Sequence, residues 1–164
     1  MKKFWLLAVL FIVMCLNSGC VRYNAVIYDK ANCFASEEFL LDNATAGSDI
    51  DAKDGILNNC KESHSYIFTE EEAFYNNFPT FSDDVDFESE MILVYVYTCN
   101  TFGCDGKISD IKQVENKLEI KVRIVEPSSC IGCAGSYTAE LQRVMIIKTD
   151  KLLIDSFEVE TKFY

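Results

Sequence analysis

From Phe87 to the C-terminus, apolar and polar positions fall into the two-residue period of β-strands. Residues 91–97 (MILVYVY) are an unbroken apolar and aromatic run, which predicts a central strand covered on both faces. Residues 107–114 and 117–125 flank Glu115-Asn116, two residues suited to a tight hairpin turn. In the second of these strands Leu118, Ile120, Val122 and Ile124 alternate with Glu119, Lys121 and Arg123, so one face is core and the other is water. A second buried run, Val144 to Ile147, lies within 137–148; Thr149-Asp150-Lys151 then turns the chain into a last strand with Ile154, Phe157, Val159 and Phe163 inward. Four or five consecutive strands with short turns predict a mainly-β fold, an antiparallel meander or sandwich-like sheet.

Upstream the signals are shorter. Residues 24–28 (NAVIY) predict a first strand. Ser36 precedes Glu37, Glu38, Phe39, Leu40 and Leu41 and predicts a capped short helix that stops near Asn43. Residues 43–63 are polar, contain Gly47 and Gly55 and follow neither period, which predicts a long loop. A short strand is expected at 65–68. Thr69 with Glu72 predicts a capping box for a second helix running to Phe78, with Ala73, Phe74 and Phe78 on one face and Pro79 ending it. These two short helices are expected to cover part of one sheet face.

The first twenty residues follow a different logic. Lys2 and Lys3 precede thirteen apolar residues, 4–16, and Asn17, Ser18 and Gly19 lead to Cys20. A spanning helix needs roughly 20 apolar residues, so 1–19 read as a segment removed on export. They resemble bacterial lipoprotein signal peptides, in which the cysteine after a leucine-small-glycine box is acylated; here Leu16 stands four residues before Cys20 and Asn17 occupies the box's leucine position. The resemblance implies a lipid on Cys20, an outward-facing place on the cell membrane, and one extracytoplasmic domain at 20–164.

Charge narrows the partners. Residues 1–19 hold two of the 15 basic residues and none of the 26 acidic ones, leaving 13 against 26, a formal charge of −13. Such a surface repels phosphate, so nucleic acid is excluded as an expected partner, and the acyl chain is left as the expected membrane contact.

Beyond Cys15 and Cys20 six cysteines remain: Cys33, Cys60, Cys99, Cys104, Cys130 and Cys133. An even number in an exported chain favours disulfides. In a meander the 99–106 and 126–136 loops share one end of the sheet, so Cys99 with Cys104 (CNTFGC), Cys130 with Cys133 (CIGC), and Cys33 with Cys60 can each close a local loop. The alternative is a tetrahedral zinc site built from Cys99, Cys104, Cys130 and Cys133, or a thiol-redox role for CIGC. No cofactor is otherwise expected.

Other candidates read as ordinary surface. His64, the only histidine, is expected in a solvated loop; Asp49, Asp51 and Asp54 before Gly55 lack EF-hand spacing; Asp83, Asp84, Asp86 and Glu88 read as a solvated turn before the central strand. No catalytic residues are assigned, and an enzyme is not expected. Over 68–151, the order VDFESEMILVYVY, a glycine-containing loop, ISDIKQVENKLEIKVRIVEP, a cysteine-bearing loop and RVMIIKTDK resembles the PrcB family, a subunit type of a spirochaete surface protease complex. The family commonly carries Gly-Gly-Tyr after its first long strand, where this chain has Phe102-Gly103-Cys104. The resemblance implies a non-catalytic, surface-anchored accessory domain that contacts another exported protein.

Overall fold

The structure is a computed structural model, and it describes residues 23–44, 50–51, 56–57, 63–99, 105–125 and 141–163. The N-terminal segment with Cys20, and Cys60, Cys104, Cys130 and Cys133, lie outside the described residues. Nine strands are described: β1 (Ala25–Tyr28), β2 (Ile50–Asp51), β3 (Ile56–Leu57), β4 (His64–Phe68), β5 (Glu90–Cys99), β6 (Asp105–Val114), β7 (Lys117–Val125), β8 (Leu141–Asp150) and β9 (Ser156–Phe163). With them come a 3₁₀ turn (Ala31–Phe34) and two short helices, α1 (Glu37–Asp42) and α2 (Glu71–Asn77).

The mainly-β, sandwich-like class is as the sequence led us to expect. The strands divide into an antiparallel four-stranded sheet in the order β1-β8-β5-β4, a three-stranded sheet β6-β7-β9, and the small pair β2-β3. Pairing order departs from a simple meander. Only β6 and β7 pair as sequential long strands; β5 pairs with β8 and β4, and β7 pairs in parallel with β9. The reason is burial: 91–97 and 144–147 are apolar on both faces, and pairing them centrally covers both at once.

Alternation then makes two cores. Ile92, Val94 and Val96 of β5 and Val144 and Ile146 of β8 face the helices, against Phe39, Leu40, Phe74, Phe78 and Phe81. Met91, Leu93, Tyr97, Met145 and Ile147 face the other way, against Leu118, Ile120, Val122, Ile124 and Phe157 of the smaller sheet. The molecule is thus layered as helices, four-stranded sheet and three-stranded sheet.

Local signals fared differently. Ser36 caps α1 as expected, its Oγ accepting from the Phe39 amide at 3.2 Å. The expected Thr69/Glu72 box does not form: α2 begins after Glu70, which makes no side-chain cap, and Thr69 still belongs to the chain leaving β4. Phe74 and Phe78 are fully buried one turn apart, whereas Ala73 is exposed.

The hairpin turn is where expected, with Val114 opposite Lys117, and Glu115 takes φ 54. A side chain in this left-handed region costs roughly 1–2 kcal/mol. Glycine removes that strain and gives back about 0.4–1 kcal/mol in unfolded-state entropy. Glu115→Gly is therefore expected to stabilise by about 0.5–1 kcal/mol in urea unfolding; a loss of stability would contradict the strain.

Candidate functional site

The strand register sorts the molecule into two ends. Strand β8 runs from Leu141 at what we call the upper end to Asp150 at the lower end, a path of roughly 30 Å at about 3.3 Å per residue. Cys99 pairs with Leu141, and Asp105 pairs with Val125. Connections 100–104 and 126–140 therefore leave strands at the upper end. His64, the first residue of β4, pairs with Val96, so the chain carrying Cys60 also joins the sheet in its upper half.

A set of buried or half-buried polar groups lies just beneath this end. Asp29, which follows β1, accepts hydrogen bonds from the Tyr97 hydroxyl of β5 at 3.2 Å, the Gly106 amide of β6 at 2.6 Å and the Lys30 amide at 3.0 Å. One carboxylate thus ties the two sheets together. The approach at 106 is close: a Cβ there would stand 3.0 Å from Met145 Cε and 3.3 Å from Asp29 Oδ2, and those side-chain ends would have to give by a few tenths of an ångström to admit it. Asn32, in the 3₁₀ turn, donates from Nδ2 to the Gln142 carbonyl at 3.0 Å and accepts at Oδ1 from the Val144 amide at 3.1 Å. Gln142 donates onward to the Leu40 carbonyl at 3.2 Å. Arg143, also buried, sits opposite Tyr97 on the face toward the smaller sheet.

Four of these residues, Asp29, Asn32, Gln142 and Arg143, escaped the sequence reading. A signal existed for two: Gln142-Arg143 are polar residues inside a strand whose next four positions are apolar. Of the predicted site residues, Cys33 is exposed and a free thiol, with Cys60, its expected partner, outside the described residues. Cys99 ends β5. Cys20, Cys104, Cys130 and Cys133 lie outside the described residues, and with them both the CNTFGC and CIGC pairings and the zinc alternative. Among the described residues no three His, Cys, Asp or Glu side chains converge as metal ligands.

His64 is corrected from loop to strand, half-buried at the start of β4. Asp51 belongs to β2, with Asp49 and Asp54 outside the described residues. The acidic stretch before β5 does form a turn: Asp86 accepts from the Ser89 hydroxyl at 2.7 Å and the Glu88 amide at 3.1 Å, which hold its carboxyl below the usual range.

Asp83 accepts from the Tyr28 hydroxyl, and partial burial, then Asp83 and Glu90, push the Tyr28 phenol up to about 12 from an ordinary 10.0. Below pH 10 the phenol is neutral whether folded or unfolded. Between pH 10 and about 12 the unfolded chain ionises first, so stability falls as pH rises through that window. Melting temperature measured across it should fall less steeply in Tyr28→Phe than in the wild type; equal slopes would remove Tyr28 from the alkaline limb.

An open cleft of about 520 Å³ lies at mid-height between the sheets, lined by Ser65 and Tyr95 on one side and by residues 119–121 and 158–160 on the other. Glu158 and Glu160 already have ammonium partners, Lys117 at 2.5 Å and Lys162 at 3.3 Å, and Lys121 lies beside Glu119 in the lining. It offers a groove rather than a charged trap.

The described residues define a three-layer mainly-β arrangement with a polar tie beneath the cysteine-bearing end. Compared with protein-family models, curated proteins and solved structures, the chain matches none. No described helix is long and apolar enough to cross a membrane.

Proposed function

We propose that the chain is a lipid-anchored, extracytoplasmic accessory protein that binds another exported or surface protein through its cysteine-bearing upper end. One observation carries the reading. Strand β1 enters the sheet at the lower end, Ala25 opposite Thr149, while the strands flanking the 100–104 and 126–140 connections meet at the upper end. The start of β1, which follows Cys20 in the chain, and the strand ends that flank those connections thus belong to opposite ends, roughly 30 Å apart. Loops held on a rigid sheet and turned away from the membrane suit partner recognition. The resemblance to PrcB-type domains supports the same role, and the reading assigns no catalytic residue.

The test is photo-crosslinking in the producing cell's own membranes. A crosslinker at exposed Lys107 or Ser63, near the upper end, should capture an exported protein that one at Glu115 or Asp155, at the lower end, does not. No adduct from the upper positions, or the same adduct from both ends, would count against the reading.

The shared end of the β5, β6, β7 and β8 termini also favours a second reading, zinc binding or thiol exchange by Cys99, Cys104, Cys130 and Cys133. Intact mass decides between them. Six hydrogens lost with no adduct means disulfides; a zinc-sized native adduct with alkylatable thiols means a metal site.

A further inference from the structure

The lower end carries an apolar contact of its own. Residues 151–155 cross from β8 to β9, and Leu152 and Ile154 pack into the second core while Leu153 between them is 92 % exposed. The connection is pinned on both sides. Lys151 donates from its amide to the Ser89 carbonyl at 2.8 Å and the Leu152 amide reaches Met91 Sδ at 3.2 Å. At the far side the Asp155 amide donates to the Asn116 carbonyl at 2.8 Å, and the Asn116 side chain donates to the Asp155 carboxylate at 3.1 Å. Leu153 is thus held outward beside the β6–β7 turn, where Val114 is 38 % exposed.

The first described residue, Tyr23, lies at this same end. Tyr23 stands two residues before the Ala25–Thr149 pair, and its hydroxyl donates to Gln113 at 3.3 Å, next to the turn. Only Val21 and Arg22 separate Tyr23 from Cys20, so three extended steps span at most about 11 Å. A lipid on Cys20 leaves this end no room to stand clear of the headgroups.

We infer that the lower end docks on the bilayer surface, with Leu153 as an apolar peg into the boundary between headgroups and acyl chains and Val114 beside it. The inference rests on the lipid-anchored reading above. Its occupant is lipid rather than protein because the anchor brings bilayer to this end at a very high local concentration, which makes a weak apolar contact sufficient. Charge does not carry it: at this end Lys112, Lys117 and Lys151 are outnumbered by Asp86, Glu88, Glu90, Glu115, Asp150 and Asp155. Salt screens the repulsion of this acidic end from an anionic bilayer, so docking should not weaken as salt rises.

The only tryptophan, Trp5, lies in the segment expected to be removed, so a new indole is a clean reporter. Full-length Leu153→Trp, isolated from membranes of the producing cell, is reconstituted into 3:1 phosphatidylethanolamine/phosphatidylglycerol vesicles containing brominated lipid. The emission of this variant should be blue-shifted and quenched severalfold, no less at high salt than at low, while that of Arg123→Trp, near the upper end, stays unquenched. Acylated Leu153→Trp protein that floats with the vesicles yet keeps solvent-like emission overturns the docking alone. Protein whose intact mass shows no acyl group, and which does not float, overturns the anchored reading and the docking with it.

Discussion

Replacing Asn32 with alanine is expected to lower the unfolding free energy by about 2–6 kcal/mol, at roughly 1–3 kcal/mol for each of two buried groups left without a partner. Strand β1 stops at Tyr28, opposite Ile146. Beyond it the Asn32 amide takes over, giving a hydrogen to the Gln142 carbonyl and accepting one from the Val144 amide, the two bonds a continuing strand would have made. The side chain is 3 % exposed, so water does not replace it. Asn32→Ala strips a buried N–H and a buried C=O of their partners. Asn32→Asp keeps the acceptor for Val144 but sets a carboxylate against the Gln142 carbonyl, and it should cost at least as much. Urea unfolding of a soluble 21–164 fragment measures both. A change below about 0.5 kcal/mol for the alanine variant would mean that the ladder closes without this amide.

Phe74→Ala is expected to cost about 3–5 kcal/mol. The ring is fully buried and packs edge-on against Phe68 and Phe81, at 5.7 and 5.3 Å, and stacks on Phe78 at 5.1 Å. Helix α2 has seven residues and no side-chain cap. Isolated helices shorter than about 12–15 residues are marginal in water, so α2 exists because Phe74 and Phe78 pack. Truncating Phe74 opens a cavity and unseats the helix together. Phe74→Leu keeps most of the volume and should cost less than about 1.5 kcal/mol. The same unfolding measurement, with helical ellipticity followed alongside, separates them. Equal losses for the two variants would show that aromatic geometry matters more here than volume.

Much of the fold was legible because hydrophobic periodicity is a local property. The alternation of Leu118, Ile120, Val122 and Ile124 predicted a strand with one buried face, and all four are at most 1 % exposed. The unbroken run at 91–97 predicted a strand covered twice, and β5 lies between both cores. Glu115-Asn116 marked its turn, and Ser36 its helix. Thr69 misled because its position in a capping pattern does not say where β4 lets go of the chain.

Strand order was not legible. Apolar alternation says that a strand has a buried face but not which partner covers it, and the parallel β7–β9 pairing joins residues about 39 apart through a crossover that no local pattern marks. The buried polar ties were hidden for the same reason. Asp29 and Asn32 look like ordinary turn residues in sequence, and they acquire their bonds only when β5, β6 and β8 arrive at the same place.

The sequence by itself determined the long strands and the two short helices, the formal charge and the expected address, but not the small β2–β3 pair inside the expected loop at 43–63. Each depends on residues close together in the chain, or on composition alone. Which end of the molecule carries the start of β1 and which carries Cys99 at the end of β5 was decided only by the tertiary structure. It depends on long-range register, Ala25 against Thr149 and Cys99 against Leu141, fixed by burying two apolar strands side by side.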